Sequence, residues 1–132
     1  MSDVNVLVVF YSRYGETEKL ATAAGVGAIQ SRANLRLRRL KDLSEAEAIA
    51  RDAAWKATLD RMNMDYIAPR EIDAQWADVI LVASPADARA EMTQYLKSLE
   101  ASYRKPIVPI TEAASALAQG KQAAEEARER KI

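Results

Sequence analysis

The sequence contains neither cysteine nor histidine. The absence of cysteine excludes disulfides, thiolate nucleophiles, iron–sulfur clusters and zinc–thiolate sites. The absence of histidine removes the commonest general base and the commonest transition-metal ligand, so Ser-His and Cys-His catalysis are ruled out. Any redox chemistry of this protein would therefore have to be carried by a bound cofactor.

The sequence also lacks an excess of charge of either sign and a long apolar run. Nineteen basic and nineteen acidic residues cancel, which gives no electrostatic reason to expect nucleic acid or an anionic membrane as a partner. No apolar run approaches the length needed to span a bilayer, and the run that begins at Val4 lacks the basic segment of a signal peptide. We therefore expect a cytoplasmic protein with one domain over residues 1–132.

Two apolar runs predict strands that are buried on both faces. Residues 4–11 and 78–83 are almost continuously apolar and rich in β-branched side chains, which is typical of central strands in a parallel sheet. Residues 35–38 alternate between Leu and Arg, as a half-exposed edge strand does. The run 105–110 contains two prolines, which favour an edge position. The cluster of Arg36, Arg38, Arg39 and Lys41 is most simply the solvated face of the first edge strand, and the alternative is a contact with an acidic partner.

Helices are predicted between these strands. Their expected ranges are 17–31, 44–62, a segment ending near residue 103, and 113–130, with a loop over 63–70. The second helix is expected to open with a capping box formed by Ser44 and Glu47. The alternation of strands and helices predicts an α/β three-layer sandwich, in which helices cover both faces of a parallel sheet with the order 2-1-3-4.

The segment that follows the first strand has the residue types of an anion-binding turn. It reads Tyr-Ser-Arg-Tyr-Gly-Glu-Thr over residues 11–17. Hydroxyls and successive backbone N–H groups at a helix start can enclose a phosphate, Gly15 permits the turn, and Arg13 could add positive charge. Glu16 opposes a phosphate unless its carboxylate points away. The alternative is that Ser12 caps the helix and no ligand binds.

The same turn can be tested against other folds that bind phosphate beyond the carboxyl ends of parallel strands, where the strand order reverses. Here that crevice would lie between the ends of strands 4–11 and 78–83. Those ends carry Ser12 and Ser84 rather than the Asp that a receiver domain requires. The first loop also lacks the Cys of a low-molecular-weight phosphatase and the Gly-Lys-Ser of a P-loop.

Residues 6–21 resemble the opening of the WrbA family of flavodoxin-like NAD(P)H:quinone oxidoreductases, in which a Tyr-Ser-x-Tyr-Gly turn binds the phosphate of FMN. The resemblance implies a flavodoxin-like fold. It also implies a phosphate loop formed by Ser12, Arg13, Tyr14, Gly15, Glu16 and Thr17. Residues 73–85 resemble the second strand region of the family. The flavin ring would then lie over Ser84, Pro85, Ala86 and Asp87.

The sequence departs from the family after this strand. The family continues with Arg-Phe-Gly-Asn, which packs against the flavin ring, whereas residues 86–89 read Ala-Asp-Ala-Arg. The chain also lacks the Gly-rich loop of the family's next strand, so it resembles a member shortened by one strand–helix unit. Three hypotheses stay open: an FMN-binding redox protein related to the quinone oxidoreductases, a flavin-free module that acts through oligomerisation or a partner, and a site for another phosphate-bearing ligand.

A shortened sheet has a consequence for association. It would leave an apolar edge near residues 107–110 and no second wall for the flavin ring. Because exposed edges invite pairing and twofold dimers are the commonest closed assembly, we expect a homo-oligomer, most simply a dimer. The candidate contact residues are Trp55, Met62 and Met64. No residue is predicted to be catalytic or to bind a metal.

Overall fold

The computed structural model describes residues 3–86 and 90–131, which form an α/β fold around a four-stranded parallel sheet. The strands are β1 (Asn5–Phe10), β2 (Asn34–Arg39), β3 (Val79–Ala83) and β4 (Ile107–Pro109). Their order is β2-β1-β3-β4, and every neighbouring pair is parallel. The predicted order is therefore confirmed, with β1 inside the sheet.

Six helices lie in the described residues. They are α1 (Glu16–Gln30), α2 (Ala46–Ala50), α3 (Ala53–Asp65), α4 (Glu71–Trp76), α5 (Ala90–Leu99) and α6 (Ala116–Arg130). Helices α1 and α6 cover one face of the sheet, and α4 and α5 contribute to the core on the other face. None of the helices within 3–86 and 90–131 has the length and apolar character needed to cross a membrane.

Strand β1 divides the core into two halves. Its even-numbered residues from 6 to 10 lie in the cluster beneath α1 and α6. Its odd-numbered residues 7 and 9, together with Tyr11 just after the strand, lie in the cluster beneath α4 and α5. All of them are fully buried. A central strand of a parallel sheet is apolar on both faces for this reason, and its carboxyl end delivers Tyr11 and Ser12 to the edge of the sheet.

Helices α1 and α6 touch backbone to backbone. A Cβ atom at Gly27 would lie 1.9 Å from the carbonyl oxygen of Leu117, and one at Gly120 would lie 1.9 Å from the carbonyl oxygen of Ala24. Backbone atoms inside a packed layer cannot move aside as the end of a side chain can. The two glycines therefore set how closely these helices approach, and α1 carries the turn of interest at its N-terminus.

The segment between β2 and β3 differs from the prediction. A single helix over 44–62 is wrong, because the Asp52 side chain accepts a hydrogen bond from the Trp55 N–H at 3.1 Å and so begins a new helix, α3. The predicted capping box is also wrong, since the N-cap of α2 is Glu45 and no side chain caps it. The expected loop over 63–70 is helical as far as Asp65, and α4 was not predicted.

The basic residues of β2 are not a solvated face. Arg36 and Arg38 donate to the fully buried carboxylate of Asp73 at 3.1 and 3.0 Å. Arg39 is buried as well, Arg36 and Arg38 are half-buried, and of the four predicted residues Lys41 alone is exposed. A buried carboxylate requires such counter-charges, so these arginines tie β2 to α4.

Two of the three residues proposed for an interface between copies are buried inside the chain. Trp55 and Met62 lie in its interior, whereas Met64 is 88% exposed. At the β4 edge, Ile107 is 38% exposed but Ile110 is only 1% exposed. The expectation that Trp55 and Met62 contact a second copy is therefore wrong, and the apolar edge is smaller than the sequence predicts.

Candidate functional site

The turn after β1 opens into a cleft at the carboxyl edge of the sheet. The cleft has a volume of about 660 Å³, within the range of small-molecule sites. It lies where the strand order reverses between β1 and β3, which is where open α/β sheets bind ligands. Its lining residues are Ser12, Arg13, Tyr14, Glu16, Thr17, Leu20, Ser84, Pro85, Ala86, Thr111 and Ala113.

The structure thus brings together most of the residues that the sequence assigns to the site. Gly15 lies inside the turn rather than in the cleft wall, and Asp87 lies outside the described residues. Thr111 and Ala113, which follow β4, also line the cleft and were not predicted from the sequence. The rule that selected Ser12 and Ser84, that parallel strands end at one edge, would also have selected them. That these residues bind a cofactor stays a prediction.

The turn is closed by its own serine. Gly15 has φ 98° and ψ −5°, a left-handed conformation that favours glycine. The Oγ of Ser12 accepts a hydrogen bond from the Gly15 N–H at 3.0 Å. Gly15, not Ser12, is the N-cap of α1. The first N–H groups of a helix have no acceptor within the helix, so those of Glu16 and Thr17 are placed to bind a ligand.

The guanidinium of Arg13 is engaged elsewhere, although Arg13 lines the cleft. Its Nε donates to the hydroxyl of Tyr11 at 2.8 Å, and its Cζ lies 4.0 Å from the centre of the Trp55 ring. Hydrogen bonding and stacking of this kind hold a guanidinium in one place. The positive charge of Arg13, which the sequence suggested for the turn, is therefore held by Tyr11 and Trp55.

A buried polar network lies beneath the turn, with Asp42 at its centre. Asp42 accepts from the hydroxyl of Tyr11 at 2.7 Å, from Nη2 of Arg39 at 3.0 Å and from Nε1 of Trp55 at 3.3 Å. Burial, together with the hydrogen bond to Asp42, raises the pKa of Tyr11 well above its usual range. The phenol therefore stays protonated and donates to Asp42 throughout the physiological range.

The two acidic residues in the first turn of α1 behave differently. Glu18 accepts from Arg61 at 2.5 and 3.0 Å and from the hydroxyl of Tyr66 at 2.6 Å. The hydrogen bonds from Arg61 are the main cause of its lowered pKa. Glu16 is exposed. The charge of Glu18 is thus balanced by Arg61 and does not oppose an anion at the turn.

The opposite end of the cleft is built from small side chains. Ser84, Pro85 and Ala86 follow β3, and Thr111 and Ala113 follow β4. Among the lining residues of the described chain, Tyr14 is the one aromatic, and its hydroxyl donates to Asp52 at 2.5 Å. The hydroxyls of the turn and the N–H groups at the start of α1 are suited to a phosphate such as that of FMN. The segments after β3 and β4, where a flavin ring would lie, offer space and hydroxyls and, among the described residues, no aromatic wall.

These features define the class of protein. The order β2-β1-β3-β4 matches the first four strands of the flavodoxin-like order 2-1-3-4-5, and the cleft lies at the β1/β3 switch point of that fold. The chain therefore has a flavodoxin-like α/β fold, as the sequence predicts, with β4 at the edge of the described sheet.

Comparison with curated proteins agrees with this class. The chain is 27% identical over 99 residues to the NAD(P)H dehydrogenase (quinone) of Deinococcus radiodurans. The match covers 73% of this chain and 49% of that protein, so the chain spans about half the length of the curated relative it matches. This similarity is in keeping with the resemblance noted for residues 6–21. No family model matches the chain.

Two solved structures to which this chain is similar are a flavodoxin and a flavoprotein by their descriptions. A flavodoxin from the domain Archaea has a TM-score of 0.49 at 13% identity, over 95% of this chain and 99% of that one. The diflavin flavoprotein A3 of Nostoc sp. has a TM-score of 0.46 at 12% identity, over the whole of both chains. The fold assignment rests on the strand order and not on these scores.

Proposed function

We propose that this protein binds FMN in the cleft between the turn 12–17 and the segments after β3 and β4, and that it acts as a flavodoxin-like redox protein. The observation that carries the proposal is the geometry of the turn. Ser12 closes it onto a left-handed Gly15 directly before a long helix, at the switch point of the sheet. The similarity to an NAD(P)H dehydrogenase (quinone) supports the same class of chemistry.

In this proposal, the phosphate is held by backbone groups and hydroxyls. The N–H groups at the start of α1 lie in a region of positive potential, because the peptide dipoles of the helix sum at its N-terminus. This potential favours a negatively charged phosphate. Thr17 lines the cleft beside them, and the hydroxyl hydrogen of Ser12 is free to donate, since its oxygen is the acceptor for Gly15. With Arg13 held by Tyr11 and Trp55, no cationic side chain of the turn is assigned to the phosphate.

The ring would lie over Ser84, Pro85 and Ala86, with Thr111 on the β4 side. Bound FMN supplies electron and hydride transfer at its ring, and the protein supplies binding, orientation and exclusion of water. We assign no acid or base to the chain. By analogy with the name of the relative, NAD(P)H is the proposed electron donor and a quinone the proposed acceptor.

The phosphate contacts are tested with Ser12→Ala combined with Thr17→Ala. Removing partners of a charged group weakens binding by about 1–3 kcal/mol, so the double variant should bind FMN roughly 5- to 150-fold more weakly in a fluorescence titration. The control is Thr22→Ala, because Thr22 is a half-buried threonine of the same helix that does not line the cleft and donates to the Lys19 carbonyl. Equal FMN affinity in the double variant and the wild type would exclude this site.

A second candidate is a smaller phosphate-bearing ligand in the same cleft. The absence of an aromatic wall among the described lining residues at the ring end favours it. Riboflavin distinguishes the two candidates, because it carries the flavin ring without the phosphate. A protein that binds phosphate esters of non-aromatic compounds as tightly as FMN, and does not bind riboflavin, supports the second candidate.

A further inference from the structure

Arg39 is a buried cation directly beneath the turn, at the end of edge strand β2. It is 4% exposed, and the sequence pattern places it on a solvated face. Its guanidinium donates to the carbonyl of Leu40 at 3.1 Å, to the carbonyl of Ser12 at 2.8 Å and to Asp42 at 3.0 Å. Burying a charged group is costly unless it is paired and hydrogen-bonded. The three acceptors satisfy both terminal nitrogens of the guanidinium, while the buried Nε has no hydrogen-bond partner within the described residues.

The contact with Ser12 fixes the direction of a peptide group in the turn. No cis peptide occurs in the described chain, and in a trans peptide the C=O and the following N–H point in opposite directions. The Ser12 carbonyl points toward Arg39, at the β2 side of β1. The N–H of Arg13 therefore points away from the guanidinium of Arg39, and Arg13 is one of the residues that line the cleft.

The N–H of Arg13 is also available. Within residues 3–86 and 90–131, it has no hydrogen-bond acceptor. The N–H of Gly15, in contrast, donates to the Oγ of Ser12. The guanidinium of Arg39 donates to a carboxylate and two carbonyls at once. This requires the planar geometry of arginine, which a lysine ammonium does not reproduce.

We propose that Arg39 is a positioning residue for anion binding: by holding the Ser12 carbonyl, it orients the Arg13 N–H toward a phosphate in the cleft. This inference rests on the proposed function in one respect, that the phosphate is that of FMN. Arg39 itself does not touch the ligand. Its effect should therefore fall on the phosphate alone and leave the interaction with the flavin ring unchanged.

The test compares FMN with riboflavin in the Arg39→Lys and Arg39→Met variants. We expect Arg39→Met to weaken FMN binding about tenfold, the effect of losing one hydrogen bond to a charged group, with riboflavin binding unchanged. Arg39→Lys keeps the charge beside Asp42 and should still lose at least threefold in the ratio of the two affinities. Should Arg39→Met fail to fold, Arg39→Lys decides alone. Equal losses for both ligands, or no loss in Arg39→Lys, would overturn the inference.

The matched control is Arg38→Met, which removes the neighbouring arginine of the same strand. Arg38 pairs with Asp73, and neither residue lines the cleft, so this variant should lose stability while the ratio of FMN to riboflavin affinity stays constant. A change of that ratio in Arg38→Met as large as in Arg39→Met would show a general effect of destabilising β2 and would overturn the positioning role.

A second readout keeps this inference separate from the FMN proposal. The amide signal of Arg13 is followed by NMR during titration with inorganic phosphate. We expect a saturable downfield shift of its proton in the wild type and in Arg38→Met, and little shift in Arg39→Lys. Failure of FMN binding with this pattern intact would refute the proposed cofactor and support Arg39. No shift in the wild type, or the same shift in Arg39→Lys, would refute the role of Arg39.

Discussion

Gly15 shapes the candidate site through its backbone conformation. A Cβ atom there would meet no close neighbour, since the nearest atom, Oε1 of Glu18, would lie 3.6 Å away. The constraint is the φ of 98°, in a region that side chains disfavour. The sequence could predict a glycine turn at this position. The sequence could not predict that Ser12 would accept a hydrogen bond from the N–H of that glycine, because this contact depends on the direction in which the chain leaves β1.

Replacement of Gly15 should therefore cost conformational energy without steric overlap. We expect Gly15→Ala to lower the free energy of unfolding by about 1–2 kcal/mol and to weaken FMN binding by disturbing the turn. Gly15→Asn should cost less, because Asn tolerates the left-handed region better. Urea denaturation measures the difference. An alanine variant as stable as the wild type would show that the turn relaxes to an ordinary conformation.

Asp73 predicts how stability depends on pH. Burial alone would raise its pKa, but the hydrogen bond from the Arg70 N–H and the ion pair with Arg38 hold the pKa below its ordinary value of 3.8. The unfolded chain then binds the proton more tightly than the folded one. The stabilisation from Asp73 is present at pH values above 3.8 and is lost as the pH falls through the lower pKa of the folded state.

The Asp73→Asn variant tests this assignment. We expect it to lower the free energy of unfolding at neutral pH by about 3 kcal/mol, at the lower end of the range for breaking a buried pair, since Arg36 and Arg70 reach solvent. Its stability should also fall less than that of the wild type between pH 5 and pH 3. Parallel stability curves for the two proteins across that range would contradict the assignment.

At the scale of elements, the strands were predictable and the segment between β2 and β3 was not. Strands β1 and β3 are buried on both faces, so their composition alone identifies them. The break between α2 and α3 depends on Asp52, and α4 is held by Asp73, whose partners Arg36 and Arg38 lie more than 30 residues away. Local patterns carry no information about such distant ion pairs, which also explains why the arginines of β2 seemed solvated.

The contact between α1 and α6 yields a prediction at this scale. In Gly27→Ala, the new methyl group would overlap the carbonyl of Leu117, so the helices must separate and the free energy of unfolding should fall by about 1–3 kcal/mol. In Gly25→Ala, the methyl group meets the mobile end of Leu35 at 3.0 Å, and the gain in helix propensity, up to about 1 kcal/mol, offsets the contact.

Thermal and urea unfolding should therefore show that Gly27→Ala is clearly less stable than Gly25→Ala. Gly25→Ala is the matched control, because it makes the same substitution in the same helix two residues away. Equal stability of the two variants would contradict the account of backbone contact between α1 and α6.

At the scale of the whole molecule, β4 forms an edge that is only partly suited to pairing. Two hydrogen bonds link this segment to β3, from the Ile80 N–H to the Pro106 carbonyl and from the Ile110 N–H to the Val82 carbonyl. The backbone N–H and C=O groups of its even-numbered residues therefore point toward β3. The odd-numbered Pro109 faces outward and has no N–H to donate. Addition of a strand at this edge is therefore disfavoured.

We propose that a second copy covers this side of the molecule through side chains such as Ile107, rather than by extending the sheet. The expected result is a homodimer that also supplies a wall near the ring end of the cleft. Sedimentation equilibrium at micromolar concentration measures the mass directly. A single species of 14.6 kDa would contradict the dimer, and tight FMN binding by that monomer would contradict the shared wall.

The claim on which the functional account depends is that the cleft at the end of β1 binds FMN through its phosphate. Titration of FMN fluorescence with the purified protein, repeated in the presence of excess inorganic phosphate, tests it most directly. The account predicts saturable quenching with one FMN per chain, competition by phosphate, and weaker binding of riboflavin than of FMN. FMN fluorescence that stays unchanged in the presence of excess folded protein would contradict the account.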